Sequence, residues 1–324
     1  MRKFFLGLVL MLSVSSVASH VCGATVRIAN AGLSGELLPI WIAQDRGLFK
    51  KHGLDTEVIT IQSGPLAVQA LLGGSVQFHA GGTSSPMESK MRGSNVVTVA
   101  SFINSLPYTL VSSAPIKSAN QLKGKRFAVS RLGSISDLSL RIALRNLGIN
   151  PEKEAIILGI GDQTARFAAL RTNAVDATVI SPPLTVTARK LAMNIISSFQ
   201  DAGIVWAYDS IDITQEFGQK NRRVVMSVLR GFVEAIAYIH KNKGESLATL
   251  QRWMRLNDRE ALDETYHYLI GILPKKLYSI DKGVQAVIDA IPNRPARKFA
   301  PQDFYDMSYL KELDQSGFLD RIFQ

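Results

Sequence analysis

Two stretches of the chain place glycine, serine and threonine where a small polar molecule could be bound. The first, Ala70–Pro86, passes from a helix end through a turn and a short buried strand into the loop Gly81–Ser85. Glycines let the backbone approach a ligand closely, and hydroxyls beside a helix start add hydrogen-bond donors. The second stretch, Ala169–Pro183, lies 99 residues later and also ends in serine and proline. Both predict non-covalent recognition of an anionic or strongly polar solute.

These two stretches belong to a longer internal echo. At the same offset Val76 coincides with Val175, and Arg27–Ala29 coincides with Arg126–Ala128. Each of the three-residue segments opens a strand that runs into a turn containing glycine and serine. A repeated strand–loop–helix unit predicts two similar α/β lobes.

The hydrophobic pattern predicts the elements that position these loops. Strands and helices alternate through the first two thirds of the chain, and from Thr214 to the end the pattern is helical. The polar, turn-rich segment Ala114–Lys125 marks a boundary, and the β run Gly203–Tyr208 could cross back to the first lobe. The predicted fold class is α/β, with two lobes that are each a mixed sheet flanked by helices.

Composition narrows the function. The chain has 324 residues, 46% apolar and 20% charged, which is typical of a globular protein of about two domains. The formal net charge of +10 favours anions, but Lys and Arg are scattered, so no nucleic-acid partner is expected. The five histidines lack metal-ligand spacing, and the Walker A, Gly-x-Ser-x-Gly and dinucleotide motifs are absent. We expect no metal and no cofactor.

Residues 1–24 have the features of a secretory signal peptide. Arg2 and Lys3 precede a short apolar run, and small residues then permit cleavage. The sequence contains one cysteine, Cys22, which could carry a lipid anchor, but Val21 stands where a small residue would be expected before it. We therefore expect a periplasmic protein, with lipoprotein anchoring as the less favoured alternative.

Five stretches resemble, in the same order, the solute-binding proteins of bacterial ABC importers in the nitrate, taurine and alkanesulfonate receptor group. They are residues 39–59, 63–86, 122–149, 169–183 and 230–247. The resemblance implies a type II periplasmic-binding-protein fold, with two lobes joined by two crossing strands and closing on a ligand like a hinge. It assigns residues 25–112 and 207–324 to lobe 1 and residues 113–206 to lobe 2. The implied partners of the monomer are a membrane permease and its ATPase.

The family's cleft-lining loops correspond to a set of candidate ligand-binding residues in this chain. Arg131 is the sharpest of them, because a guanidinium can hold a carboxylate or sulfonate through two parallel hydrogen bonds; the alternative is a surface arginine. For each serine and threonine, the alternative is a helix cap without ligand contact. The candidates are Ser34, Gly35, Ser63, Gly64, Gly82, Thr83, Ser84, Ser85, Tyr108, Arg131, Gly133, Ser134, Ser181 and Pro182.

Two other functions use the same fold. One is an enzyme of the kind that makes a thiamine pyrimidine or acts in menaquinone synthesis, but the cysteine-rich iron motif of the former has no counterpart here. The other is a ligand-sensing binding protein without an ABC partner. We expect a binding protein and not an enzyme, with a small anionic organic ligand such as a sulfonate, taurine, nitrate or a carboxylate.

Overall fold

The computed structural model describes residues 25–200, 204–292 and 294–324. The expected signal peptide and Cys22 lie outside the described residues. No helix within the described ranges is long and apolar enough to span a lipid bilayer.

The strands of the described residues form two five-stranded mixed sheets. In chain order they are β1 (Val26–Ala31), β2 (Thr56–Ile61), β3 (Phe78–Gly82), β4 (Val96–Ser105), β5 (Thr109–Ser112), β6 (Arg126–Val129), β7 (Ile156–Gly159), β8 (Ala177–Ile180), β9 (Asn194–Ser198) and β10 (Val205–Thr214).

The two sheets have the same topology. The first has the order β2-β1-β3-β10-β4, and the second has the order β7-β6-β8-β5-β9. In each, three parallel strands are followed by one strand that runs antiparallel to both of its neighbours. The echoed segments at residues 27–29 and 126–128 fall in the equivalent strands β1 and β6. The predicted fold class, with two similar α/β lobes, is confirmed.

Helices cover the sheets and fill the C-terminal third of the chain. They are α1 (Leu38–Asp45), α2 (Leu48–Lys51), α3 (Gly64–Leu72), α4 (Ser84–Met91), α5 (Ile135–Asn146), α6 (Gln163–Arg171), α7 (Leu184–Lys190), α8 (Gln215–Lys220), α9 (Arg222–Lys241), α10 (Lys243–Met254), α11 (Arg259–Ile272), α12 (Asp281–Ala290), α13 (Ser308–Gln315) and α14 (Phe318–Phe323), with short 3-10 helices at Gly35–Leu37, Ala119–Leu122 and Pro301–Asp303.

The chain crosses between the sheets twice. Strand β4 lies in the first sheet and β5 in the second, so the first crossing occupies residues 106–108 and not the boundary expected at residue 112. The reason is that the polar segment after residue 113 is a surface loop of lobe 2, whereas the apolar run Thr109–Ser112 pairs with β8 and β9. The second crossing leads from β9 into β10, which returns to the first sheet.

Helix α9 is the main apolar support of lobe 1. Its buried residues Val225, Leu229, Phe232 and Ile236 recur at helical spacing, and α9 packs on α1 and α2. The ring of Phe232 lies 4.9 Å from that of Phe102 on β4. Burying each such side chain stabilises the fold by about 1.5–3 kcal/mol.

A buried polar cluster ties the three strands β3, β10 and β4 together. Asp212 on β10 is fully buried, and one of its oxygens lies 2.8 Å from Nδ1 of His79 on β3. The hydroxyl of Ser210 donates to the same oxygen at 2.7 Å, and the hydroxyl of Thr98 on β4 donates to the other. Because side chains from three strands meet at the Asp212 carboxyl group, the cluster can fix the register of the strands that lead to the cleft.

Removing the Asp212 carboxyl group would leave three buried groups without their acceptor. We expect Asp212→Ala to lower the free energy of unfolding by about 3–5 kcal/mol, because each buried group left without its partner costs about 1–3 kcal/mol. Urea unfolding followed by far-UV circular dichroism measures this loss. The exposed Asp320 provides the control Asp320→Asn, which should change the stability by less than about 0.5 kcal/mol. A loss below about 1 kcal/mol for Asp212→Ala would contradict this role of the cluster.

Candidate functional site

A cavity lies between the lobes, where strands of both sheets end. It has a volume of about 40 Å3, and its lining includes Ala31 and Gly82 at the ends of β1 and β3 and Ser130 directly after β6. Ligands of open α/β sheets bind outside the carboxyl ends of the strands, because loops and helix starts gather there.

Lobe 1 offers hydroxyl groups beside the start of α3. Gly64 and Ser85 line the cavity, and the Oγ of Ser85 is buried without a hydrogen-bond partner in the described part of the chain. Ser63, which precedes α3, is also buried, and its hydroxyl makes no capping bond. A buried hydroxyl without a partner costs stability, so the Ser85 hydroxyl is available for a ligand.

In lobe 2, two helices begin at the cavity and their N-termini are already occupied by side chains. Ser134 accepts the N–H of Asp137 at the start of α5, and the Asp137 carboxylate accepts the N–H of Gly133 at 2.9 Å. Asp162 accepts the N–H of Ala165 at 3.0 Å at the start of α6. Acidic groups at helix N-termini are stabilising, but they leave little attraction there for an anionic ligand.

Arg166, on the first turns of α6, is the cation among the lining residues. It is 1% exposed, and its two terminal nitrogens donate to the carbonyl oxygens of Gly161 and Val179 at 3.1 and 3.0 Å. The guanidinium therefore joins α6 to β8. Its positive charge lowers the pKa of Tyr108, although burial has the larger and opposite effect.

The crossing segments contribute two tyrosines and an aspartate. The rings of Tyr108 and Tyr208 meet edge to face with centroids 5.4 Å apart, and burial raises the pKa of both. Asp209 follows on β10, lines the same cavity and is 3% exposed. Burial raises the pKa of Asp209 well above its usual range, and the nearby carboxyl groups of Glu36 and Asp212 raise it further.

A second carboxyl group is buried where the lobes meet. Glu36, in the 3-10 helix of lobe 1, is fully buried, and neither of its carboxyl oxygens has a partner with hydrogen-bond geometry among the described residues. The hydroxyls of Ser34 and Ser181 lie nearby and lower its pKa in part. Burial is the larger effect, so the pKa of Glu36 is raised.

Close approach of the lobes depends on glycine at two positions. A Cβ atom on Gly82 would lie 2.6 Å from Cγ2 of Ile135 in lobe 2. A Cβ atom on Gly35 would lie 3.0 Å from the carbonyl oxygen of Pro182 in lobe 2. Real Cβ atoms do not come within 3.0 Å of carbon atoms, so the structure has its lobes in a closed arrangement that a larger side chain at residue 82 would prevent.

Exposed ion pairs also link the lobes. Arg189 on α7 contacts Glu264 on α11 at 2.6 Å, and Lys190 contacts Asp258 at 2.8 Å. Both Arg189 and Glu264 are close to half exposed, and exposed pairs contribute little stability in water. These contacts are weak enough to break and re-form when the lobes move.

The structure distributes the sequence-predicted site residues over two groups. Ser34, Gly64, Gly82, Ser85, Tyr108 and Ser134 line the cavity. The others lie behind it, at its rim or on the surface: Gly35, Ser63, Thr83, Ser84, Arg131, Gly133, Ser181 and Pro182.

Several residues of the second group are engaged in contacts within the protein. The hydroxyl of Thr83 donates to the carbonyl of Ala207. The hydroxyl of Ser181 donates to Oε1 of Gln163 at 3.2 Å, and Ser84 approaches the carbonyl of Gly133 at 3.4 Å. Arg131 is exposed and is not among the lining residues, so a ligand contact by its side chain stays a prediction.

The residues predicted from the sequence do not include the most polar part of the lining, which is Asp162, Gln163, Arg166, Tyr208 and Asp209. Asp162 and Gln163 had a usable signal, because an acidic residue before a helix that follows a strand marks a capped helix start at the strand's carboxyl end. Asp209 had a weaker signal: it directly follows the apolar run Val205–Tyr208. In the described residues, no group of three or more His, Cys, Asp or Glu is placed to hold a metal ion.

Two α/β lobes, two crossings and a polar cavity between them define the fold class of the periplasmic binding proteins. Residues 34–246 match the model of the NMT1/THI5-like family, and this match covers most of the chain. The chain therefore belongs to that family.

Solved structures and named relatives agree with this class. A protein of Bordetella bronchiseptica superimposes with a TM-score of 0.82 at 20% identity, covering 91% of this chain and 98% of that one. The alkanesulfonate-binding protein SsuA of Xanthomonas axonopodis, bound to MOPS, has a TM-score of 0.71 at 17% identity, with 86% and 97% covered. The nitrate-binding protein NrtA of Synechocystis has a TM-score of 0.62 at 17% identity, with 89% and 98% covered. At such identities the likeness shows the fold alone.

Among sequence relatives, a protein of Brucella abortus named as a binding protein is 28% identical over 197 residues, covering 58% of each chain. An ABC transporter periplasmic binding protein of Brachyspira hyodysenteriae is 28% identical over 139 residues, covering 43% of this chain and 39% of that one. The match thus spans little more than half of the length of the Brucella abortus protein. These relatives, SsuA and NrtA are named as binding proteins, in agreement with the expectation of a binding protein and not an enzyme.

The glycine at residue 82 provides a test of lobe closure. We expect Gly82→Ala to weaken binding at least about tenfold, because the added methyl group keeps the lobes from closing on the ligand. Titration calorimetry with a solute that stabilises the wild-type protein measures the change. Gly244→Ala is the matched control, since a Cβ atom there meets nothing within 4 Å. Equal affinity of both variants would show that closure does not need the glycine at residue 82.

Glu36 should make stability depend on pH. Its raised pKa means that the protonated form stabilises the fold fully below the ordinary pKa of 4.5, and that this stability is lost as pH rises through the folded-state pKa. Glu36→Gln removes this loss. We expect the free energy of unfolding of the variant, relative to the wild type, to increase as pH rises, by about 1.4 kcal/mol for each pKa unit of the shift. Urea unfolding from pH 4 to 8 measures it, and a pH-independent difference between the two proteins would contradict the account.

Proposed function

We propose that this protein is exported to the periplasm, captures a small organic solute in the cavity between its lobes and delivers it to the permease of an ABC importer. The observation that carries the proposal is the cavity itself: it lies between two lobes, and its lining includes buried polar groups without partners, such as the Ser85 hydroxyl. Such groups become satisfied when a polar solute enters. Membership of the family and the named relatives support the same role.

Capture would work by a population shift. The lobes are linked by exposed ion pairs and by close contacts at glycines, so opening breaks little. A solute that contacts both lobes binds the closed form more tightly than the open form and shifts the equilibrium toward it. The closed form would then present the surfaces of both lobes to the permease in one fixed arrangement.

The chemical class of the solute is the finer part of the proposal. Net charge and helix N-termini favour an anionic solute such as a sulfonate, nitrate or carboxylate. The lining gives that class limited support, because α5 and α6 carry their own acidic groups at their N-termini and Arg131 is not among the lining residues.

Three measurements test the proposed function. A thermal-shift screen should find a compound that stabilises the purified protein, by about 2.7 kcal/mol when it is present at 100 times its dissociation constant. Small-angle X-ray scattering should then show a smaller radius of gyration with the same compound. In the source organism, deletion of the gene should abolish uptake of that compound. Normal uptake without the gene, or binding without compaction, would contradict the importer role or the hinge respectively.

A further inference from the structure

One carboxyl group in the cavity has no partner. Asp209 lies on β10 where it pairs with Gly82 of β3, lines the cavity and is 3% exposed. Within the described ranges, no hydrogen bond or ion pair satisfies its carboxyl group; the charges that act on it are those of Glu36 and Asp212, both acidic. A carboxyl group this buried and unpaired is costly to the unliganded protein, and a complementary group in the ligand would remove that cost.

The titratable groups around this carboxyl group are mainly acidic. Asp162 lines the same cavity, and Glu36 lies close enough to raise the pKa of Asp209. Arg166 is the lining cation: its two terminal nitrogens donate to backbone carbonyls, whereas its Nε is buried without a partner among the described residues. His79 is paired with Asp212 in the buried polar cluster of β3, β10 and β4. An incoming anion would meet this acidic surface, whereas a cation would be attracted to it.

Aromatic rings stand beside the same carboxyl group. Tyr208 is adjacent to Asp209 in the chain, Tyr108 packs edge to face on Tyr208, and all three line the cavity. Tyrosine rings attract cations through their quadrupole, and the effect is larger in desolvated sites. A carboxylate next to aromatic rings is a suitable environment for a protonated nitrogen.

We propose that the captured solute carries a protonated nitrogen, which the Asp209 carboxylate binds beside the rings of Tyr108 and Tyr208. This inference rests on the proposed function, because it assigns the chemistry of the solute and not the capture itself. The nitrogen donates a charge-assisted hydrogen bond to Asp209, and the pair is enclosed when the lobes close. The Ser85 hydroxyl, which has no partner in lobe 1, is free to bind another polar group of the same solute.

Matched pairs of probes test the need for nitrogen. Taurine is compared with isethionate, putrescine with 1,4-butanediol, and 2-(dimethylamino)ethanol with 3-methyl-1-butanol; within each pair a nitrogen group is replaced by an uncharged group of similar size. Nitrate and methanesulfonate serve as simple anions. In a thermal-shift assay of the purified protein, we expect at least one nitrogen-bearing member to raise the melting temperature and its nitrogen-free counterpart to have no effect.

The variant Asp209→Asn separates a carboxylate that binds a cation from a protonated carboxyl group that donates to an anion. Removing the negative charge should lower the affinity for the nitrogen-bearing probe at least about tenfold in calorimetry, since charge-assisted hydrogen bonds are strong. The affinity of Asp320→Asn, which removes an exposed negative charge, should stay within about twofold of the wild-type affinity. Circular dichroism and the melting temperature of the unliganded Asp209→Asn protein show whether it is folded; Tyr208→Leu, with the same expected loss, is the second variant.

The outcomes are distinct. If nitrate, methanesulfonate or isethionate stabilises the protein and the nitrogen-bearing members of the other pairs do not, the inference is wrong while capture of a solute stands. Unchanged affinity of Asp209→Asn would also overturn it, because a protonated carboxyl group can be replaced by an amide donor. If no compound of the panel raises the melting temperature, the assigned chemistry is wrong. The proposed function fails separately, if the broad screen finds no ligand of any class.

Discussion

The cleft of this protein depends on one physical constraint: carboxyl groups are buried between the lobes without partners. Glu36 in lobe 1 and Asp209 on the crossing strand are both nearly inaccessible to water. Glu36 raises the pKa of Asp209, and both carboxyl groups raise the pKa of Tyr208. Burying such groups costs free energy that the rest of the fold must offset. The site is thus a place where stability is given up, which is common for binding sites prepared for a complementary ligand.

The surrounding structure supplies rigid support for this strained region. The Asp212 cluster holds β3, β10 and β4 in register next to Asp209, and α9 covers lobe 1 with apolar side chains. In lobe 2, Arg166 fastens α6 to β8 through two backbone carbonyls. Contacts between the lobes include exposed ion pairs and glycines at close approach. Rigid lobes joined by a weak interface favour movement of the lobes as whole bodies.

Much of the fold could be predicted from the sequence because it rests on local patterns. The echo between β1 and β6, and between the loops after β3 and β8, predicted two lobes of the same topology. The boundary at residue 112 differed from the strand pairing, because the apolar run Thr109–Ser112 has no local feature that says which sheet it joins. Strand partners are set by tertiary packing, which a pattern along the chain does not contain.

The site was harder to predict than the fold. Loops rich in glycine and serine identified part of the lining, including Gly82, Ser85 and Ser134. Asp209 and Arg166 lie within a strand and a helix, where a charged residue usually faces solvent, and their burial follows from how the lobes meet. Net charge suggested an anionic solute, but the overall charge of a surface says little about the few groups inside one cavity.

Closure of the lobes around a bound solute is the central claim, and the distance between the lobes tests it most directly. Spin labels on cysteines introduced at Gln69 in lobe 1 and at Asn146, at the end of α5 in lobe 2, both exposed, report that distance by double electron–electron resonance. The account predicts a broad distance distribution without ligand that becomes narrower and shorter when the solute is added. A distribution that stays the same while the solute is bound would contradict it.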